Sequence, residues 1–278
     1  MSNQIGFIGC GNMGSAIARA ISKVMDPSQV MLANRTPAKA EALASELGCR
    51  TGSNEEIARQ CRYIFLGVKP QMMEEMLQPL QQIFSDRSRE TSDSSAGSSE
   101  QKDFVLVTMA AGLSIETIQR MAGGRYPVIR IMPNTPVSIG KGMTLVCTSP
   151  EVDQTCLEEF FRIMSATGRL DMLSEKLIDA ASALSGCGPA YVYLFIEALA
   201  DGAVECGLPR QKAIDYACQT LIGSAALVQE SGSHPGVLKD AVCSPGGTTI
   251  AGVHALERGG FRCAAMDAVK AAYDKTIR

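Results

Sequence analysis

Short apolar runs alternate with helix-period segments through the first half of the chain, the pattern of βαβ units around a parallel sheet. Ile5–Ile8 reads as the first strand, a helix follows over about Met13–Val24, and Val30–Ala33 reads as the second strand. Pro37–Leu47 predicts a helix with Thr36 at its N-cap. Further strands are expected at Tyr63–Gly67, Phe104–Met109, Val128–Met132 and Thr144–Thr148. Helical patterns at Gln71–Ile83, Ser114–Met121 and Asp153–Ser165 separate most of them. Ser85–Asp103 breaks the alternation. Nearly devoid of large apolar side chains, it is predicted as a solvated loop, because it buries too little to offset the entropy of ordering. From about Ser174 the strand signals stop. Helices are expected at Lys176–Leu184, Ala190–Cys206, Arg210–Glu230, Thr248–Arg258 and Ala264–Ile277, with Gly207 and Pro209 separating the two longest. The expected architecture is an α/β domain with a doubly wound sheet over residues 1–173 and an all-α domain over 174–278.

Composition narrows the classes. The 278 residues carry 26 Lys+Arg against 29 Asp+Glu, a net charge of -3, which argues against a nucleic-acid binder. No stretch approaches the ~18 apolar residues of a membrane span, so no membrane partner is expected. The 10 cysteines form no Cys-x-x-Cys pair, so no metal site is expected. Scattered thiols without a secretory signal fit a cytoplasmic protein.

The first strand runs directly into Gly9-Cys10-Gly11-Asn12-Met13-Gly14 and then a helix. This G-x-G-x-x-G stands in the strand–turn–helix setting of a Rossmann dinucleotide site. Gly9 serves the tight turn, Gly11 lets the backbone approach a pyrophosphate, and Gly14 lets helix and strand pack closely. The end of the second strand decides which dinucleotide fits. NAD readers place Asp or Glu there, whereas this chain has Asn34-Arg35. A guanidinium pairs with a 2′-phosphate that a carboxylate would repel, so NADPH is preferred over a weaker NADH, unless Arg35 is simply a solvated surface charge. Ile8 precedes the motif, and two more loops at strand ends, Gly67-Val68-Lys69-Pro70 and Ala110-Ala111-Gly112, are candidates to line the cofactor.

Two features stand out in the second half. Ala190–Cys206 carries charge only at Glu197, Asp201 and Glu205, one narrow stripe on a helix otherwise apolar nearly all round. A domain this small offers little interior for it, and a subunit interface would cover it. Ser244-Pro245-Gly246-Gly247-Thr248-Thr249 opens a helix with glycines, hydroxyls and free N–H groups. The residues alone fit either a pocket for a small carboxylate or ordinary Ser/Thr capping. His254 lies five positions past Thr249, well round the helix, and is not expected to serve as a general acid.

These motifs resemble the pyrroline-5-carboxylate reductase family over essentially the whole length apart from Ser85–Asp103. The resemblance runs through Gly6–Ile17, Val68-Lys69-Pro70, Ala110-Ala111-Gly112, Arg130–Pro136 and Leu184–Tyr191. Its most specific part is Val242–Gly252. It implies NAD(P)H-dependent reduction of the C=N bond of 1-pyrroline-5-carboxylate to L-proline, the last step of proline biosynthesis. It further implies that Ser244, Gly246, Gly247, Thr248 and Thr249 hold the substrate, with Thr249 nearest the ring nitrogen, and that Glu175 lines the site. Thr249 and Glu175 are thus the candidate catalytic residues. Asn54 matches a family Asn that touches cofactor, whereas another cofactor-reaching Asn is Ala241 here. Interlocked homodimers, commonly gathered into decamers, are implied as well. A β-hydroxyacid dehydrogenase is the rival enzyme, but the position of its catalytic Lys is held by Val192. An NADPH-sensing module would leave Ser244–Thr249 without a purpose.

Overall fold

The computed structural model describes residues 4–93 and 104–276. Two compact units emerge, Met1–Gly186 and Cys187–Asp274, with the residues from Lys275 grouped with the first. The helix Glu175–Ser185 therefore packs with the sheet, although the sequence pattern divides the chain just before it.

The eight described strands form one sheet. They are β1 (Ile5–Ile8), β2 (Val30–Ala33), β3 (Arg50–Thr51), β4 (Tyr63–Leu66), β5 (Val105–Thr108), β6 (Val128–Pro133), β7 (Gly142–Thr148) and β8 (Gly168–Met172). Their order is β3-β2-β1-β4-β5-β6-β7-β8. The pairing is parallel from β3 through β6; β7 turns antiparallel to β6, and β8 runs parallel to β7. Ile5 is registered with Val30 on one side and Tyr63 on the other, so β1 sits where the winding reverses. That reversal opens a crevice at the strands' carboxyl ends, the usual ligand position in such sheets.

The connecting helices are α1 (Asn12–Ile21), α2 (Pro37–Leu47), α3 (Asn54–Gln60), α4 (Met73–Leu77), α5 (Gln81–Asp93), α6 (Ile115–Ala122), α7 (Gln154–Ile163) and α8 (Glu175–Ser185). Local chemistry sets several starts. Ser53 and Glu56 form a reciprocal capping box on α3, and Ser114 and Asp153 cap α6 and α7 by accepting from the N–H groups of Thr117 and Cys156. Side chains alternate across the central strands, giving a core on each face. One face packs Phe7, Phe65, Ile17, Leu43 and Phe160, with Phe7 and Phe65 stacked at 4.5 Å. The other packs Ile57, Leu77, Phe84, Phe104, Ile118 and Ile178. Each such side chain withdrawn from water contributes ~1.5–3 kcal/mol.

Several expectations need correction. The stretch read as a loop, Ser85–Asp103, is helical as far as Asp93, and the remainder lies outside the described residues. Its polar look misled because Arg87 is a core residue. Arg87 donates to the carbonyls of Ala58 and Cys61 at 2.6 and 3.0 Å, and its guanidinium lies 5.0 Å from the Phe104 ring centre. The helix expected over Gln71–Ile83 is broken into short turns, with Pro79 inside the interruption at Gln78–Leu80. β3, α3 and the edge strand β8 give no clear periodic signal and are additions.

The second unit contains α9 (Gly188–Glu205), α10 (Arg210–Ser231), α11 (Pro235–Ala241), α12 (Thr248–Arg258) and α13 (Phe261–Thr276). Gly207, at φ +94°, makes the turn between α9 and α10. The Phe195 ring of α9 packs tilted against Phe261 with centroids 5.3 Å apart, and the Tyr191 hydroxyl donates to the Ala268 carbonyl. Of the 18 residues of α9, only Ala200 is buried within the chain. The expectation that nothing reaches membrane-span length is also corrected. The helical stretch Glu175–Glu205 passes by length and composition, because Val192, Leu194, Phe195, Ile196 and Leu199 keep its hydropathy high with few charges among them.

Candidate active site

The sequence-predicted cofactor residues converge on one cleft of about 710 Å³ at the carboxyl ends of β1, β2, β4 and β5. Ile8, Gly9, Gly11, Asn12, Met13, Gly14, Asn34, Arg35, Val68, Lys69, Pro70, Ala110 and Ala111 all line it. Gly67, the glycine that opens the Val68–Pro70 loop, lines it too, whereas Met72, Glu75, Met76 and Met109 were missed by sequence reasoning. The methionines and Glu75 carried no readable signal, because they enter from turns beyond the motifs.

The glycines divide their work as the motif demands. Gly9 adopts φ +105° at the strand end. A Cβ on Gly14 or Gly67 would come within 2.4 or 2.3 Å of the Gly9 carbonyl oxygen, so both must lack one. A Cβ on Gly11 would meet nothing within 4 Å, leaving the space an incoming pyrophosphate needs. α1 has Gly11 as N-cap, no side-chain cap and no acidic residue in its first turn. Its leading N–H groups and dipole are thus offered to the cleft and fit the phosphates of a dinucleotide.

Asn34 fixes the neighbouring loop. Its Oδ1 accepts from the Cys10 N–H at 3.1 Å, and its Nδ2 donates to the Thr36 carbonyl at 3.0 Å. That double bond holds exposed Arg35 at the cleft's edge, where a 2′-phosphate would sit. Three expected members lie off the cleft lining. Cys10 is buried, and burial first, with Cys49 nearby second, pushes its thiol up to about 11. Asn54 starts α3, and Gly112, at φ +75°, makes the turn leading to α6.

Glu175 is the first residue of α8 and belongs to the sheet unit. Its Oε1 accepts from the Ile115 N–H at 2.8 Å and from Arg130 Nη1 at 3.0 Å, so its carboxylate is fixed by two donors. Asn134 of the Arg130–Pro136 segment locks the same region, donating to the Ser185 carbonyl and accepting from the Met143 N–H.

In the second unit, Ser244–Thr249 forms an exposed turn into α12. Gly246 has φ +68°, a conformation that favours glycine. Of the two readings left open by the residues, side-chain capping fails. The N-cap is Gly247, with no side-chain cap bond, and Thr248 and Thr249 are the first two helical residues. A Cβ on Gly247 would strike the Ser244 Oγ at 2.3 Å. The Gly247 N–H donates to the Ser244 carbonyl at 3.0 Å, which leaves the N–H groups of Thr248 and Thr249 without helical partners at the start of α12.

Comparison with known proteins agrees with this geometry. The family model for pyrroline-5-carboxylate reductase dimerisation matches residues 175–278, which include the long apolar stretch and the Ser244 turn. The model described as NADP oxidoreductase coenzyme F420-dependent matches residues 4–89. The pyrroline-5-carboxylate reductase of Pisum sativum is 40% identical over 98% of this chain and 94% of its own length. That of Escherichia coli (strain K12) is 39% identical over 99% and 98%. The crystal structure of Plasmodium falciparum pyrroline carboxylate reductase with NADP bound superposes with a TM-score of 0.82, at 32% identity, covering 99% of this chain and 98% of that one. The chain belongs to the pyrroline-5-carboxylate reductase family.

Proposed function

We infer that the chain is an NAD(P)H-dependent oxidoreductase that reduces the imine of 1-pyrroline-5-carboxylate to L-proline, the closing step of proline biosynthesis. The observation that carries this reading is full-length similarity to pyrroline-5-carboxylate reductases together with an open dinucleotide cleft. Adding L-proline and NADP⁺ to the purified protein at high pH tests it. Absorbance of the reduced nicotinamide should rise, and no rise with proline would count against the assignment.

When bound, the reduced nicotinamide supplies a hydride to the imine carbon while the ring nitrogen takes up a proton. The chain's part is to bind, orient and dry the reactants. Residues 1–173 are proposed as the NADP-binding domain and 174–278 as the substrate and dimerisation domain. Ile8–Gly14 holds the pyrophosphate, with Val68–Pro70 and Ala110–Gly112 along the rest of the cofactor. Asn54 is retained as an outlying cofactor contact. The N–H groups of Gly246 and Thr248 receive the substrate carboxylate, Gly247 closes the turn with Ser244 by donating to its carbonyl, and the Thr249 hydroxyl orients the ring nitrogen. Glu175, with both donors in place, is a fixed carboxylate of the site. An iminium substrate needs no strong side-chain acid, which fits the exposed position of His254.

NADPH is the preferred cofactor, NADH a weaker one. Arg35→Glu is expected to weaken NADPH far more than NADH, because a charged hydrogen bond contributes ~1.5–3 kcal/mol. Titration of both cofactors by calorimetry checks this; equal losses would mean that Arg35 does not meet the 2′-phosphate. The chain is proposed to be a soluble cytoplasmic enzyme, without nucleic-acid or membrane partners, acting as a homodimer that assembles further, to a decamer.

A further inference from the structure

We propose that Arg130 is a positioning residue for the cofactor cleft, acting through Glu175 on the loop that carries Ala110–Gly112. The proposal rests on the assignment of that cleft to NADPH. Arg130 lies within β6 with its side chain only 4% exposed. Its two terminal nitrogens span two carboxylates one turn apart on α8, Nη1 to Glu175 Oε1 and Nη2 to Asp179 Oδ1, each at 3.0 Å. None of the three side chains lines the cleft.

The link to the cleft is the shared oxygen. Glu175 Oε1 also accepts from the Ile115 N–H at 2.8 Å, the first residue of α6. Ser114 caps the Thr117 N–H, so the carboxylate of a different helix serves Ile115. Only Leu113 and Ser114 separate this bond from Gly112. Arg130 is also registered with Thr108, the last residue of β5, so the strand that carries it pairs with the start of the β5–α6 loop.

The cluster is costly in its present form. Arg130 Nε is buried without a partner, and buried ion clusters are weak sources of stability. What the guanidinium gives is geometry. Its planar fork directs two separate nitrogens at two acceptors in fixed directions, which the single, freely rotating ammonium of a lysine does not reproduce. Without the fork, two carboxylates one turn apart repel each other, Glu175 swings from Ile115, and the Ala110–Gly112 loop loses its anchor.

The test is Arg130→Lys in the full chain, read in three ways. Calorimetry should show NADP⁺ binding weakened by ~10-fold or more, and the KM for NADPH should rise in parallel, the pattern of lost cofactor positioning. Hydrogen exchange of residues 110–118 in the ligand-free protein should quicken by ~10-fold, with the rest of the sheet unchanged. Ile115→Pro is the independent variant. It removes the N–H partner of Glu175 at a first-turn position that proline favours, keeps Arg130, and should weaken NADP⁺ comparably. A lower melting temperature with wild-type NADP⁺ affinity and unchanged exchange at 110–118 would reduce Arg130 to a structural residue and overturn the proposal. Wild-type affinity in Ile115→Pro would overturn it as well. Wild-type protein that fails to bind NADP⁺ would overturn the cleft assignment and this proposal together.

Discussion

Thr249→Val is expected to lower kcat/KM for pyrroline-5-carboxylate by ~10–1000-fold, the scale on which one positioned polar contact to a transition state is lost. Valine keeps the volume and removes only the hydroxyl, so the helix start should survive. Thr249 is not the N-cap of α12, which makes a capping defect an inadequate explanation of any loss. The hydroxyl's contact should strengthen as the ring nitrogen gains amine character during hydride transfer, so the defect should appear mainly in kcat. NADPH affinity should stay near normal, because the cleft is built from Ile8–Gly14 and its neighbours in the sheet unit. Steady-state kinetics with calorimetry of NADPH binding check both halves. Full activity in Thr249→Val would make Thr249 an ordinary helix-start residue and leave the substrate nitrogen to another partner.

Leu194→Asp should produce the largest physical effect, dissociation of the assembly with loss of activity. Leu194 is 68% exposed within the chain, beside the exposed Val192 and Tyr193 on the same helix. Its replacement costs the isolated protomer little. Across a dimer interface, an unpaired carboxylate costs several kcal/mol, of order ~2–7 even when only its hydrogen bonds are counted. Sedimentation should therefore show a folded monomer with native helical content. An active Leu194→Asp protein of unchanged mass would remove α9 from the interface.

What was legible in the sequence was set by backbone necessity. Gly9 and Gly14 sit where a Cβ would strike a main-chain atom, and that requirement is written into the chain as two of the three glycines of G-x-G-x-x-G. Strands buried on both faces, such as Tyr63–Leu66, announce themselves as continuous apolar runs. The α12 bounds followed from the glycines that precede it. Features made by distant partners were not legible. The Arg130–Glu175 pair joins residues 45 apart, and nothing near either predicts the other. Arg87 looked like a loop residue because composition cannot tell a solvated guanidinium from one seated on an aromatic ring. Edge strand β8, Gly-Arg-Leu-Asp-Met, does alternate polar and apolar residues, but over only five positions, mostly exposed, too short a run to stand out from a loop.

The measurement closest to the central claim is the forward reaction. Purified protein is mixed with NADPH and 1-pyrroline-5-carboxylate, and both loss of reduced nicotinamide absorbance and formation of L-proline are followed. The account predicts one L-proline formed per NADPH consumed, with NADH slower at equal concentration. NADPH left unconsumed by pyrroline-5-carboxylate, or consumed without L-proline appearing, would contradict it.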